Sequence, residues 1–218
     1  AVETFKYPKA GEKNSKVSLQ IYNVETKDLK TVDLSNYSDF YIARLQWTND
    51  ANVLSAQVLN RHQDNLDLLF IDGDSANKKV ILNEKDKAYV DVSDNLTFLK
   101  DNSFIWTSEK DGFNHIYCYD KTGELKNQVT KGNWEVTAFY GLDEKTNTVF
   151  YQSTEMGSIN RAVYKIGLNA KNKVALSNAI GTNEATFSPN FDYYIRTFSS
   201  VNQPDMYTLN ETKSGKEL

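Results

Sequence analysis

"FIWTSEKDGFNHIYCYD", residues 104–120, joins two aromatic-rich segments through a charged turn. A strand with one solvated face alternates apolar and polar residues; these two do not. Phe104, Ile105 and Trp106 are consecutive, and so are Ile116, Tyr117, Cys118 and Tyr119. Side chains alternate across a strand, so Phe104 and Trp106 face one way and Ile105 the other. Ile116 and Cys118 likewise oppose His115, Tyr117 and Tyr119. The pair therefore reads as a hairpin covered on both faces, with "SEKDG" as its exposed tip, where Gly112 can take a positive φ cheaply.

The same pattern continues in both directions. Short strands are predicted at 16–24, 42–47, 53–60, 67–72, 103–109, 115–120, 136–143, 148–154, 162–168, 184–189, 193–200 and 205–210, with little helical periodicity. Asp, Asn, Gly and Lys clusters such as "DGDSANKK" and "LDEKTN" separate them. The strands recur in a fixed order. "LQWTNDANVL", "LTFLKDNSFI", "FYGLDEKTNTVF" and "ATFSPNFDYYI" each read strand, Asp or Asn turn, strand. Their anchors Asp50, Asp101, Asp143 and Asn190 lie 51, 42 and 47 residues apart. A third strand follows each, and a fourth follows three of them ("KKVILNE", "LKNQVT", "KVALS"). Four-strand units with periods in the forties are propeller blades, each sandwiched by its neighbours. The expectation is an all-β chain: a partial β-propeller of about four four-stranded blades, with residues 17–34 as the last two strands of another.

Composition narrows the function. The 218 residues suffice for a sizeable core, and their net charge of −4 comes from interspersed charges, against nucleic acid as partner. Cys118 is the single cysteine, so an internal disulfide and a cysteine metal cluster are excluded, and it reads as a small buried strand residue. No apolar run approaches a membrane span, and the opening "AVETFKYPKAGEK" carries neither an initiating Met nor a signal peptide, as expected of a chain processed or cut from something larger.

Catalytic signatures are missing. There is no G-x-S-x-G elbow, no H-E-x-x-H and no phosphate or dinucleotide loop. Of the two histidines, His62 and His115, the latter lies in a predicted strand and reads as packed and hydrogen-bonded. "DGDSAN" (72–77) begins like a calcium loop but lacks its distal Glu, which favours a hairpin turn. No cofactor and no metal are expected. The sequons at Asn36, Asn95 and Asn210 read as chance.

Six segments in order carry a resemblance: "YPKAGEKNSKVSLQIYNV" (7–24), "VLNRHQDNLDLLFID" (58–72), "FIWTSEKDGFNHIYCYD" (104–120), "KGNWEVTAFYGLD" (131–143), "YQSTEMGSINRAVYKIGL" (151–168) and "ATFSPNFDYYIRTFSS" (185–200). Together the chain resembles the dipeptidyl peptidase IV family, in the second part of its N-terminal eight-bladed propeller, in the style of Bacteroidetes enzymes. "NRHQDN" departs by an extra Asp64, expected to alter only a turn. The resemblance implies a serine exopeptidase of the prolyl oligopeptidase group that removes N-terminal dipeptides ending in Pro or Ala. It implies a Ser-Asp-His triad in an α/β-hydrolase domain after the propeller, and a glutamate pair before Tyr7 that holds the substrate amine. Neither lies in 1–218, so the chain is expected to be inactive alone, with its own catalytic domain and a peptide substrate as the parent's partners. Glu109 and Glu155 read as turn residues rather than replacements for that pair.

In the family the propeller walls the cavity and limits substrate size. The stretch 83–99 corresponds to the region near the more distant subsites, but its "VDVSDN" does not match the residues used there. Tyr89 and Asp91 are the substrate-binding candidates, with surface loop positions as the competing reading. Arg61 reads as a structural ion-pair residue. Trp134, Glu135 and Thr137 form a polar-aromatic cluster read as a turn cap between blades, with Glu135 satisfying backbone or hydroxyl donors. A periplasmic or secreted location is expected, as is self-association through open propeller ends. The alternative is an independent propeller scaffold that binds a protein or a glycan.

Overall fold

The computed structural model describes residues 2–3 and 10–218; the start of the 7–24 segment lies outside them. The described residues form strands and turns without a helix. They divide into two compact units, Ala1–Trp47 with Ala51–Val90, and Thr48–Asp50 with Asp91–Leu218.

In the first unit, β1 (Gln20–Tyr22) and β2 (Leu29–Thr31) pair antiparallel, the two-strand remnant expected at 17–34, though the first strand is far shorter than 16–24. They pack on a four-stranded antiparallel sheet in sequence order: β3 (Phe40–Trp47), β4 (Val53–Asn60), β5 (Asn65–Asp72) and β6 (Lys78–Lys85). Leu19 and Val32 from the small sheet meet Leu54, Ala56, Val58, Leu69 and Ile71 in one apolar cluster.

The second unit holds three sheets, each again in sequence order. The first contains β7 (Thr97–Phe98), β8 (Phe104–Ser108), β9 (His115–Tyr119) and β10 (Leu125–Gln128). The next contains β11 (Val136–Asp143), β12 (Thr148–Ser153), β13 (Ala162–Gly167) and β14 (Val174–Ala175). The last has three strands: β15 (Thr182–Phe187), β16 (Tyr193–Ser200) and β17 (Gln203–Glu211). Adjacent antiparallel strands in sequence order, repeated sheet after sheet, are the blades read from the repeat.

The opening hairpin behaves as its composition demands. Every residue of β8 and β9 is buried. Ile105 pairs with Cys118 and Trp106 with Tyr117, which sorts the side chains into the two expected rows. Ile105, Ile116 and Cys118 join Val149, Tyr151, Ala162 and Tyr164 of the next sheet in one core. That next sheet is also covered behind. Phe150 and Val163 pack with Leu176, Ala185 and Tyr194, and Phe150 stacks on Phe191 at 4.8 Å and 6°. Gly141 admits this ring: its φ is +133°, and a Cβ there would sit 2.8 Å from Phe191 Cζ.

The Asp turns share one device, in which a carboxylate caps the N–H and hydroxyl that follow it. Asp72 accepts from Ser75, Asp101 from Ser103, Asp120 from Thr122, and Asp143 from Lys145 N–H and the Thr146 hydroxyl. Those hydrogen bonds hold Asp72, Asp101 and Asp120 below the usual carboxylate range, side-chain hydroxyl first. "DGDSAN" is such a turn, and no cluster of metal-ligating side chains occurs among the described residues.

Candidate functional surface

Strand-to-strand turns and sheet-to-sheet linkers that share one end of the blades are the place to look for function, because loops carry variable chemistry on a rigid frame. In the first unit that end comprises the β4–β5 turn and the segment after β6. Asp86 N–H donates to Asp64 O at 3.0 Å and Val90 N–H to Gln63 O at 2.8 Å, so main-chain hydrogen bonds tie the segment to the turn. Asp64 is held within this turn: Asn60 Nδ2 donates to its carboxylate at 2.7 Å, and Gln63 takes φ +59°. Tyr89 projects with 49% of its surface exposed. Arg61 lies 3.6 Å from Asp39. His62 is exposed.

In the second unit the corresponding end begins at Asp91, which is exposed. Just beyond it, Ser93 and Asn95 share the Thr107 hydroxyl at 3.1 and 3.2 Å, which anchors the linker's start. The linker before β11 meets the β12–β13 turn around a cavity of about 350 Å³ lined by Phe113, Trp134, Glu135, Thr154, Glu155 and Ser158. Trp134 stacks on Tyr151 at 6.2 Å and meets His115 edge-on at 4.8 Å. Gly132, at φ +152°, makes room for the indole. Trp134 is thus the inter-blade cap read from its position. Glu135 acts differently from expectation: its main-chain N–H, not its carboxylate, engages the Thr154 hydroxyl, at 3.0 Å. Thr137 donates to Gln152 at 2.6 Å.

His115 is wholly buried. Its Nε2 lies 3.0 Å from the Gly132 carbonyl, which can only accept, so Nε2 carries the hydrogen. Nδ1 then accepts from Thr130, 3.1 Å away, while the same hydroxyl oxygen accepts from Ile116 N–H at 2.9 Å. Both ring nitrogens are committed to the fold. Cys118 is buried, and burial pushes its thiol up, away from reactivity. Glu155 is anchored more firmly than a surface turn residue: its side chain is 14% exposed, pairs with Lys173, and accepts from Tyr151 at 3.2 Å. Burial first, then the Glu155 charge, raise the Tyr151 phenol. Burial also pushes Tyr140 up to about 12. The groups here are spent on holding blades together.

The sequence profile described as dipeptidyl peptidase IV N-terminal region matches residues 1–205. The chain belongs to that family. It is similar to a crystal structure of Porphyromonas gingivalis dipeptidyl peptidase 4, with 44% identity and a TM-score of 0.91 over 98% of this chain and 30% of that one. A probable dipeptidyl peptidase 4 from Aspergillus flavus is 28% identical over 95% of this chain and 29% of its own length. A crystal structure from Bacteroides ovatus, 24% identical with a TM-score of 0.82, shows the same fold across 98% of this chain and 33% of that one. The chain therefore spans about three tenths of the length of its relatives, and its sheets are a partial β-propeller of the dipeptidyl peptidase IV type. Among the described residues there is no helix long and apolar enough to cross a membrane.

Proposed function

We propose that this chain forms part of the propeller of a serine exopeptidase that removes N-terminal dipeptides ending in Pro or Ala. The reading is carried by the end-to-end likeness to Porphyromonas gingivalis dipeptidyl peptidase 4, which covers 98% of this chain at 44% identity. The propeller's part is to wall the substrate cavity and limit substrate size, and the periplasm or the exterior is the place of work. Chemistry would come from the parent's hydrolase domain. This agrees with His115 being committed to Thr130 and Gly132 and with Cys118 being buried. Transition-state stabilisation needs a positioned nucleophile and oxyanion donors. The 218-residue chain should therefore release no chromophore from a Gly-Pro anilide; turnover that survives repurification and yields to a serine-directed inhibitor would overturn this.

Tyr89 and Asp91 are proposed to line the path to the more distant subsites, on the strength of their exposure beside the blade-end turns. In the parent enzyme, Tyr89→Ala should raise KM for extended peptides several-fold and leave a dipeptidyl anilide unaffected. Equal kinetics on both substrates would remove Tyr89 from the path. The isolated chain is also proposed to self-associate, because β16 and β17 expose Ile195, Tyr207 and Leu209 on one face. Light scattering that gives a strict monomer from low to high micromolar concentration would refute it.

A further inference from the structure

The opposite end of the blades in the second unit, where the β11–β12, β13–β14 and β15–β16 turns gather, opens on a cavity of about 1290 Å³. Its floor follows from register. Phe150 pairs with Lys165 and Lys165 with Val174, so these three side chains form one row across β12, β13 and β14 on a single face. That face looks toward the β15–β17 sheet, whose Phe191 stacks on Phe150. Phe150, Leu168, Val174 and Phe191 make one apolar wall with Lys165 set into it, and polar and charged side chains, Lys213 among them, line the rest.

The charges around the cavity are not equivalent. Each of its carboxylates already has a local donor: Asp143 accepts from Lys145 N–H and the Thr146 hydroxyl, Asp192 from Asn190, and Glu211 from Ser214. Lys126 pairs with Asp101 at 3.5 Å. Among the described residues Lys165 has no such counter-charge. Its ammonium donates to two neutral carbonyls, Thr212 O at 2.8 Å and Lys213 O at 3.1 Å, with no carboxylate paired to it among those residues. Burial alone displaces its titration downward, and no carboxylate opposes that shift. A partly desolvated ammonium beside an open cavity gains most from an anion that supplies the missing counter-charge.

We propose that this cavity binds an organic carboxylate carrying an apolar group, with the carboxylate on Lys165 and the apolar group against Val174 and Leu168. Ligand sites of this kind combine a largely apolar wall with a few fixed polar groups. The site is independent of the peptidase reading above and lies at the other end of the second unit's blades from Asp91.

The test uses N-acetylphenylalanine as probe, followed through the lysine side-chain NMR signals of the 218-residue chain. A saturable shift at Lys165 is expected, with its titration moving up on binding because the anion favours the charged form. N-acetylphenylalanine amide, which lacks the charge, should bind at least tenfold more weakly. Inorganic phosphate should do the same, lacking the apolar group; equal binding of phosphate would overturn the apolar part of the proposal. Lys165→Met should abolish the shift and the affinity. Because that change also removes a tie between β13 and the residues after β17, Val174→Glu serves as a second variant: it leaves the tie intact, adds a carboxylate beside Lys165, and should cut affinity at least tenfold. Lys145→Met, which removes a cation outside the cavity, should change nothing. Absence of a saturable shift in the unmodified protein, or full affinity in Val174→Glu, would overturn the site.

Discussion

The β11–β14 and β15–β17 sheets are both antiparallel with strands in sequence order, and they differ in what covers them. In the first, Tyr151 and Tyr164 pack toward the β7–β10 sheet while Phe150 and Val163 pack toward the β15–β17 sheet. In the second, Ala185 and Tyr194 pack against β11–β14, whereas the paired residues Ile195 and Leu209 are 46% and 48% exposed. Apolar character on both faces of a strand is thus a statement about potential neighbours. Burial, and the stability that comes with it, depends on which neighbour is present.

The largest test of this contrast is a pair of tyrosines. Tyr151 is fully buried and Tyr207 is 67% exposed. Tyr151→Ala should cost about 3–5 kcal/mol in chemical denaturation, as large core truncations do. Tyr207→Ala should stay within about 0.5 kcal/mol. Equal losses would erase the distinction between the sheets.

A smaller effect should arise at their junction. Gly141→Ala places a Cβ against Phe191 and forces a non-glycine residue to φ +133°. A destabilisation of about 1–3 kcal/mol is expected. Phe191→Leu in the same background should recover part of it, by shortening the side chain that the Cβ meets. Simple additivity of the two changes would show that the close approach does not matter.

The smallest effect concerns a turn rather than a face. Asp101 is held below the usual carboxylate range by the Ser103 hydroxyl first, then by Ser103 N–H. A lowered folded value means that the stability it contributes is present above the unfolded pKa of about 3.9 and fades as pH falls through the folded value. Asp101→Asn should therefore flatten the decline in stability below pH 4 and leave its slope at pH 6–8 alone. An unchanged acid limb would show that the turn carboxylate contributes nothing to it.

Much of the fold was legible because covered blades leave an unusual trace. The stretches 53–60, 136–143 and 193–200 are strands with the boundaries read from sequence, since apolar runs there end at Asp, Asn or Gly turns. The outermost strands were harder. "KVALS" contributes only Val174–Ala175 and "LKNQVT" only Leu125–Gln128, because edge strands carry few buried residues to mark them. The cavity at the far end left almost no trace. A lysine in a strand reads as solvated, and only register shows that Lys165 shares a face with Phe150 and Val174. The insertion of Phe191 at φ +57° is equally silent, because its partner is a glycine about fifty residues away. Tyr89 and Asp91 came from a resemblance and not from a pattern. The linker that holds them has no periodicity to place its side chains.

Native-state hydrogen exchange tests the central claim most directly, since protection follows local stability strand by strand. Amides of β8, β9, β12 and β13, whose residues lie between covered faces, should exchange only through the largest openings. Amides of β17 should exchange through smaller ones, faster than those of β12 by orders of magnitude. Uniform protection across β12 and β17 would contradict the account, because it would mean that the open face of the β15–β17 sheet costs that sheet nothing.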